Sequence, residues 1–525
     1  MTKLQKGLQN IALGKYKPVH ADALTMIHAN VKDPVPYCLL GAIASEHGNH
    51  VKASELFLRA VSYAPTEVCY YAYAAQVLTV LGHQNQAKEL ADGAAGLEIK
   101  DAFIADTIGV VYSRTGFHEK AVPYFEKAVA LNAAPANFHY NLGASQQFLG
   151  NFERAKQAYT QTLERDQDHY RAWSSLIGLG RQSLDDNSLD TLISLFEHHS
   201  DDVDAALHFG HAIAKTLEDL ERYPESLNWL HKAKHKKKAA LHKEAFAYGH
   251  MFTAAKQTFT SQTEIEPDVS TRAPIFIFGL PRTGTTLVDR IISSHPDVVS
   301  AGELNMFAGL IKEATRTSSN MVMDGETLAA AVALEMNTIG RQYIDNTSEL
   351  ARGAKRMTDK MPLNFFYAGL IHRALPNARL IVLRRGAMDS CLSNYRQLFT
   401  LQYSYYNYTY DLEDTAQFYS DFDALMTHWR NVLPANRFME INYEDIVFDQ
   451  EVQTRRLLEF CDLSWDEKCM RFHENEAPVS TASSVQVRQP LYSGSIGRWK
   501  KYGDKLEGLK EALGPLANGI KENGN

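Results

Sequence analysis

Glycine recurs at Gly14, Gly48, Gly82, Gly116 and Gly150, and each step is 34 residues. Three more columns keep the same phase. Five residues after the last four of these glycines stand Ala53, Ala87, Ala121 and Ala155, and seven residues before them stand Gly41, Ala75, Gly109 and Gly143. Ala60, Ala94 and Ala128 form the remaining column, which Thr162 breaks in the next unit. A fixed period of this length marks a repeat architecture. The columns predict one helical hairpin per unit. A small residue lets two helices approach, the recurring glycine turns the chain, and an alanine packs at the start of the second helix. Apolar residues follow i, i+3, i+4 spacing around that alanine, as in FEKAVALN and FLRAVSYAP. One hairpin cannot bury its apolar face alone, so the units must stack into a superhelix.

The pattern resembles the tetratricopeptide repeat over roughly residues 5–165. Beyond that it degrades: 169–182 reads as one more first helix, and 220–234 as a second helix out of phase. The array is expected to run over 1–256. Such arrays present a concave surface, which points to docking of a protein partner or a substrate. The alternatives are a dimerisation surface, giving a homodimer, or a spacer. The run KAKHKKK at 232–238 reads as a solvated helix face, not a nucleic-acid patch, because the chain carries 54 Lys+Arg against 62 Asp+Glu, a net charge of −8.

At 525 residues the chain has room for two to four domains of about 100–200 residues each. Its five cysteines, Cys38, Cys69, Cys391, Cys461 and Cys469, are odd in number and form no CxxC pair. With no signal-like start and no apolar run of membrane-spanning length, the expectation is a cytoplasmic protein without a membrane span.

A polar stretch at 257–273, rich in Thr and Ser, loses the helical period and reads as a linker. Next comes PIFIFGLPRTGTTLVDRIISSHPDV, a short apolar strand, a glycine loop and a helix. Gly279, Gly284, Thr285 and Thr286 reproduce the P-loop spacing G-x-x-x-x-G-K-S/T, with Thr285 in place of the lysine. Backbone N–H groups of such a loop can curl around an anion at a helix N-terminus. Thr285 and Thr286 add hydroxyls and Arg282 adds charge. The loop suits a phosphate, but without the lysine it suits triphosphate hydrolysis poorly. A second strand, Arg379–Leu383, runs into Arg384-Arg385 and then a helix start. In a parallel sheet ligands bind beyond the carboxyl ends of strands, so Arg385 and Ser393, eight apart, can bind a second phosphate.

At this point the C-terminal half resembles the sulfotransferases that use 3′-phosphoadenosine-5′-phosphosulfate, over about 274–505. PRTGTT is similar to their 5′-phosphosulfate loop and RRGAMDSCLS to their 3′-phosphate motif. The HPDV segment and the Gly302-Glu303 pair place the resemblance nearest the tyrosylprotein sulfotransferase-like branch. The resemblance implies that Glu303 is the catalytic base, that Lys360 lies near the transferred group, and that Ser483 contacts the sulfate side. It further implies that Arg282, Thr283, Gly284, Thr285, Thr286, Arg385, Ser393, Tyr443 and Arg498 hold the nucleotide.

The expected fold is therefore an α-superhelical repeat domain (1–256), the linker, an α/β P-loop-like parallel-sheet sulfotransferase domain (274–515) and a tail (516–525). The expected reaction moves a sulfuryl group to an acceptor hydroxyl on a peptide tyrosine, glycan, lipid or small phenol, with no metal. Mechanistically Glu303 would take the acceptor proton, while Arg282 and Lys360 offset developing negative charge. Rival readings are a non-catalytic nucleotide-binding scaffold and a P-loop kinase. Glu303 could instead serve the N-terminus of the following helix. The tyrosines at 403, 405, 406, 408 and 410 read as interdomain packing or as an acceptor lid.

Overall fold

The computed structural model describes residues 2–242, 248–260, 273–319, 321–401, 404–475, 477 and 486–519. The chain divides into two compact units, Met1–Leu179 and Gly180–Asn525.

The first unit is built of helical hairpins, such as Pro34–Glu46 with His50–Tyr63 and Ala102–Arg114 with His118–Leu131. The 34-residue glycines all turn left-handed: Gly48, Gly82, Gly116 and Gly150 have φ of 74°, 80°, 85° and 83°. That conformation costs an L-residue with a Cβ and costs glycine little. The second small column has a packing cause. A Cβ on Gly41, Gly109 or Gly143 would come within 2.9, 2.6 or 2.8 Å of the ring of Phe57, Phe125 or Tyr159, sixteen residues later on the second helix. In the unit where the column holds Ala75, the residue sixteen later is Ala91, and both lie in one buried cluster. Glycine therefore goes with an aromatic partner and alanine with an alanine, so the hairpin keeps its volume. Ala53, Ala87, Ala121 and Ala155 are all fully buried.

The second unit opens with helices that the repeat-like pattern of 1–256 assigns to the array. After Leu189–His198 come α1 (Val203–Asp219) and α2 (Tyr223–Ala239), and then Gly249–Gln257. α1 and α2 pack closely: a Cβ on Gly210 would lie 2.3 Å from the Ala233 Cβ. Leu227, Leu230 and Phe252 are buried in the same cluster as Phe276, Phe278, Leu380 and Val382 of the sheet. The compact division therefore falls at 179/180, not in the 257–273 stretch. The physical reason is that these helices share their apolar faces with the sheet domain. Residues 261–272 of that stretch lie outside the described residues.

The KAKHKKK run corrects another expectation. It lies on α2, and Lys234 is 1% exposed and donates to the Thr409 carbonyl at 2.9 Å. Lys237 and Lys238 pair with Asp204 and Asp414 at 2.6 and 2.7 Å. Lys234, Lys236, Lys237 and Lys238 are thus tied into the protein, while Lys232 and His235 stay exposed.

Five parallel strands follow, separated by helices: β1 (Ile275–Gly279), α3 (Thr285–Ser293), β2 (Val298–Ser300), β3 (Arg356–Lys360), β4 (Arg379–Arg384), α4 (Ala387–Arg396), α5 (Leu412–Val432) and β5 (Phe438–Asn442). The sheet order is β2-β3-β1-β4-β5. β1 is buried at every position and pairs with β3 and β4 on its two sides, as a continuous apolar run predicts for a central parallel strand. The chain moves to one side of β1 for β2 and β3, then to the other for β4 and β5. That reversal opens a crevice at the carboxyl ends of the central strands.

The aromatic stretch packs inside this second unit. Tyr408 stacks on Phe418 with ring centroids 3.8 Å apart and donates to Asn394 Oδ1 at 2.8 Å. The Tyr405 hydroxyl accepts from the Met323 N–H at 3.0 Å, and Tyr406 stacks on Phe399. Tyr403 lies outside the described residues. Among the described residues no helix is long and apolar enough to cross a membrane.

Candidate active site

The loop from β1 to α3 is shaped by backbone more than by side chains. Gly279 has φ of 153°, and a Cβ there would lie 2.5 Å from the Leu383 carbonyl of β4. Gly284, at φ 105°, is the N-cap of α3 and faces the Tyr443 ring, where a Cβ would come within 2.7 Å. Arg282 also takes a left-handed φ of 67°. The Thr283 hydroxyl donates to the Leu280 carbonyl at 2.6 Å and so ties the loop to itself. Thr285 and Thr286 begin α3 and are buried. The N-terminus of this nine-residue helix opens on the loop, the arrangement that favours an anion.

One pocket beside this loop is lined by Arg282, Gly284, Thr286, Arg385, Ser393 and Tyr443, together with Arg396, Tyr492, Ser495 and Arg498. Arg384 and Arg385 separate there. Arg384 turns into the protein, where Asp423 and Glu440 pair with it, and it does not line the pocket. Arg385 donates to the Arg282 carbonyl at 2.9 Å, to Ser393 Oγ at 3.2 Å and to the Ser495 carbonyl at 2.6 Å. Tyr443 lies under the Arg385 guanidinium, 5.0 Å from it, with its hydroxyl 2.7 Å from Ser495 Oγ. Arg282 donates to Gln486 Oε1 at 2.8 Å. Burial first, then the neighbouring Arg396 and Arg385 cations, bring its pKa down to about 10. It stays charged at neutral pH, but a positive field has built up before any ligand arrives.

Four guanidiniums, those of Arg282, Arg385, Arg396 and Arg498, line the pocket, a lining suited to anionic groups. Arg385 Nε and Arg498 Nε are buried with no hydrogen-bond partner among the described residues. Tyr443 and Tyr492 add aromatic rings to the pocket lining.

Glu303 and Lys360 stand at neighbouring strand ends. Glu303 lies three residues beyond β2, and Lys360 is the last residue of β3. The Lys360 N–H donates to the Gly302 carbonyl at 2.9 Å, and its ammonium is ion-paired with the Glu303 carboxylate. Lys360 is almost wholly buried, whereas the Glu303 side chain is 31% exposed. The Glu303 carboxylate thus turns to a lysine and does not cap the helix Met306–Thr315, whose N-cap is Asn305. Ser483 lies outside the described residues.

The sequence reading missed two groups here. Arg396 stands three residues after Ser393 on α4, hence on the same face, and this spacing could have revealed it. Glu218, which pairs with Arg396 and Arg498, lies on α1 and carries no local signal. Among the described residues, no group of three or more His, Cys, Asp or Glu side chains is gathered to hold a metal ion.

A parallel sheet with a phosphate-type loop at β1 and a basic second strand end defines an α/β fold with an anion-suited crevice. Residues 274–467 match the sulfotransferase family, and residues 106–135 and 136–169 match the tetratricopeptide repeat. A segment similar to the sulfotransferase family thus follows segments similar to the tetratricopeptide repeat in this chain. It is 28% identical over 404 residues to an uncharacterized protein of Aquifex aeolicus, covering 74% of this chain and 52% of that one. Over 235 residues it is 24% identical to protein-tyrosine sulfotransferase A of Caenorhabditis elegans, covering 43% of this chain and 60% of the relative. The chain thus spans 52% and 60% of the length of these two relatives. Among solved structures, the sulfotransferase domain from the curacin biosynthetic pathway aligns over 46% of this chain and 97% of its own length, at 14% identity and a TM-score of 0.32.

Proposed function

We propose that the second unit transfers a sulfuryl group from 3′-phosphoadenosine-5′-phosphosulfate to an acceptor hydroxyl. The observation that carries this reading is the pocket itself. A glycine loop at a helix N-terminus, Arg385 hydrogen-bonded to Ser393, and the four guanidiniums of Arg282, Arg385, Arg396 and Arg498 on one cleft support a reading with two anion subsites. The sulfotransferase-family match supports the same reading.

The donor supplies an activated sulfuryl group with a phosphate leaving group. The residues of the chain do the rest. Backbone N–H groups of 283–286 and the Arg282 guanidinium hold the 5′ side and stabilise charge that builds on the bridging oxygen. Arg385, Ser393 and Arg498 hold the 3′-phosphate, and Tyr443 stacks near the base. Glu303 accepts the acceptor hydroxyl proton as the new O–S bond forms and the old S–O bond breaks. Lys360 must exchange its Glu303 contact for the sulfuryl oxygens, which frees the carboxylate to act. Ser483 belongs to the same reading, on the sulfate side. The acceptor class is a hydroxyl-bearing molecule, with peptide tyrosine foremost because the Caenorhabditis elegans relative is a protein-tyrosine sulfotransferase. The repeats dock the partner or substrate that carries it. The five free cysteines support a cytoplasmic setting.

The test is transfer of labelled sulfate from the donor to proteins of a cell lysate and to small phenols, with Glu303→Ala as control. Label transferred by the wild type and lost in the variant is the expected result. Tight nucleotide binding with no transfer to any acceptor class would leave a non-catalytic scaffold.

A further inference from the structure

We infer that Glu218, on a helix outside the sulfotransferase-family segment, is a positioning residue that sets Arg396 and Arg498 for the 3′-phosphate. The inference rests on the proposed nucleotide site and adds to it a part that the family match, residues 274–467, does not contain.

The helices α1 and α2 form a rack for two chain segments that are distant in sequence. On one side is the end of α4. Lys234 of α2 donates to the Gln397 carbonyl at 3.4 Å, and His231 Nδ1 lies 2.7 Å from the Tyr395 hydroxyl. On the other side is the segment Arg498–Leu506. The Tyr223 and Tyr502 rings meet edge to face at 5.4 Å, and Lys501 donates to the Tyr223 hydroxyl at 3.3 Å. Glu218, at the end of α1, sits where the two segments come together. Its Oε2 accepts from Arg396 Nε at 2.8 Å and also from Nη2 of the same guanidinium, while its Oε1 accepts from Arg498 Nη2. One carboxylate thus fixes two cations through three charge-assisted hydrogen bonds.

Burial decides which role this carboxylate plays. The Glu218 side chain is 3% exposed, against 19% for Arg396 and 31% for Arg498. Both arginines line the pocket and Glu218 does not. The carboxylate therefore stands behind the arginines. It orients them without occupying the space a ligand would fill. Burial alone would raise its pKa, but Arg396 and then Arg498 outweigh burial and hold it low, so it is ionised at neutral pH. Its single charge also offsets part of the repulsion among Arg282, Arg385, Arg396 and Arg498, four guanidiniums in one pocket. One carboxylate against two cations still leaves a net positive charge for a phosphate.

The experiment measures, on the full chain, dissociation constants for 3′,5′-adenosine bisphosphate and for 5′-adenosine monophosphate. Melting temperatures serve as the folding check. Glu218→Gln keeps the shape and removes the charge. It should weaken the bisphosphate by roughly tenfold or more and the monophosphate by less than about twofold, so the ratio of the two falls. If the Gln variant does not fold, Glu218→Asp keeps the charge, withdraws it by one methylene and is judged on the same ratio. An unchanged ratio, or tighter bisphosphate binding, overturns the assignment. A wild type that shows no preference for the bisphosphate sinks the nucleotide reading itself, which separates the two failures.

Discussion

Lys360, at the end of β3, is ion-paired with Glu303, beyond the end of β2. Two residues 57 positions apart are thereby made one device at the carboxyl edge of the sheet. The lysine holds the carboxylate in place, and in the proposed reaction a donor that attracts the lysine leaves the carboxylate free to act as a base.

For Glu303→Gln, turnover should fall by roughly 10²–10⁴-fold, the usual worth of a positioned base. Nucleotide affinity should not fall, because the variant removes a negative charge and frees Lys360. Turnover and affinity measured on the same preparation check this. Near-normal turnover would exclude Glu303 as the base.

Arg385→Ala should discriminate between nucleotides. Its guanidinium reaches Ser393 Oγ and also braces the Arg282 and Ser495 carbonyls. Loss of a charge-assisted contact costs roughly 1.5–3 kcal/mol. Binding of 3′,5′-adenosine bisphosphate should therefore weaken by about ten- to a hundredfold beyond any loss for the monophosphate. Equal losses for the two ligands would limit Arg385 to bracing the loop.

Truncation should respect the division at 179/180. A chain of residues 180–525 should fold and sulfate a small phenol, with transfer to a protein acceptor reduced because the repeats are gone. A chain of residues 270–525 should aggregate. It lacks Leu227, Leu230 and Phe252, which are buried against the sheet domain. At about 1.5–3 kcal/mol per side chain, their loss approaches the whole stability of a domain. Solubility and a cooperative melt of the two fragments decide the matter.

Asp359 should make the second unit less stable as pH rises. It is fully buried beside Lys360, and burial pushes its carboxyl up to about 7, against the Tyr343 hydroxyl, which donates to it at 2.8 Å. The folded protein therefore binds this proton more tightly than the unfolded chain does. That contribution is full below about pH 4 and is lost as pH rises through about 7. Asp359→Asn should gain stability at pH 8 and flatten the dependence between pH 5 and 8, as read from denaturant midpoints. A variant less stable than wild type at pH 8 would contradict this.

Short-range chemistry was legible without coordinates. The left-handed glycines of the hairpins repeat every 34 residues because each turn poses the same backbone demand. β1 shows as an unbroken apolar run because it is buried on both faces. The loop 279–286 shows because glycines, a helix start and an arginine sit next to one another in the chain. Ser393 pointed to Arg385 because both lie on one strand–helix unit.

Other features depended on partners far away in sequence. Nothing local distinguishes Arg384, which is buried against Asp423 and Glu440, from Arg385, which faces the pocket. Lys234 reads as one more solvated lysine until the Thr409 carbonyl is found beside it. The helices at 203–239 carry a repeat-like pattern, yet they pack on the sheet domain and bring Glu218 to Arg396 and Arg498. Periodicity reports that a helix has an apolar face and is silent on what covers it. The sequence alone thus determined the two architectures and the glycine loop at 279–286, whose causes lie within a few residues of one another. Only the tertiary structure decided which helices stand behind the pocket and which charges meet there, because those energies arise between segments 160 to 280 residues apart.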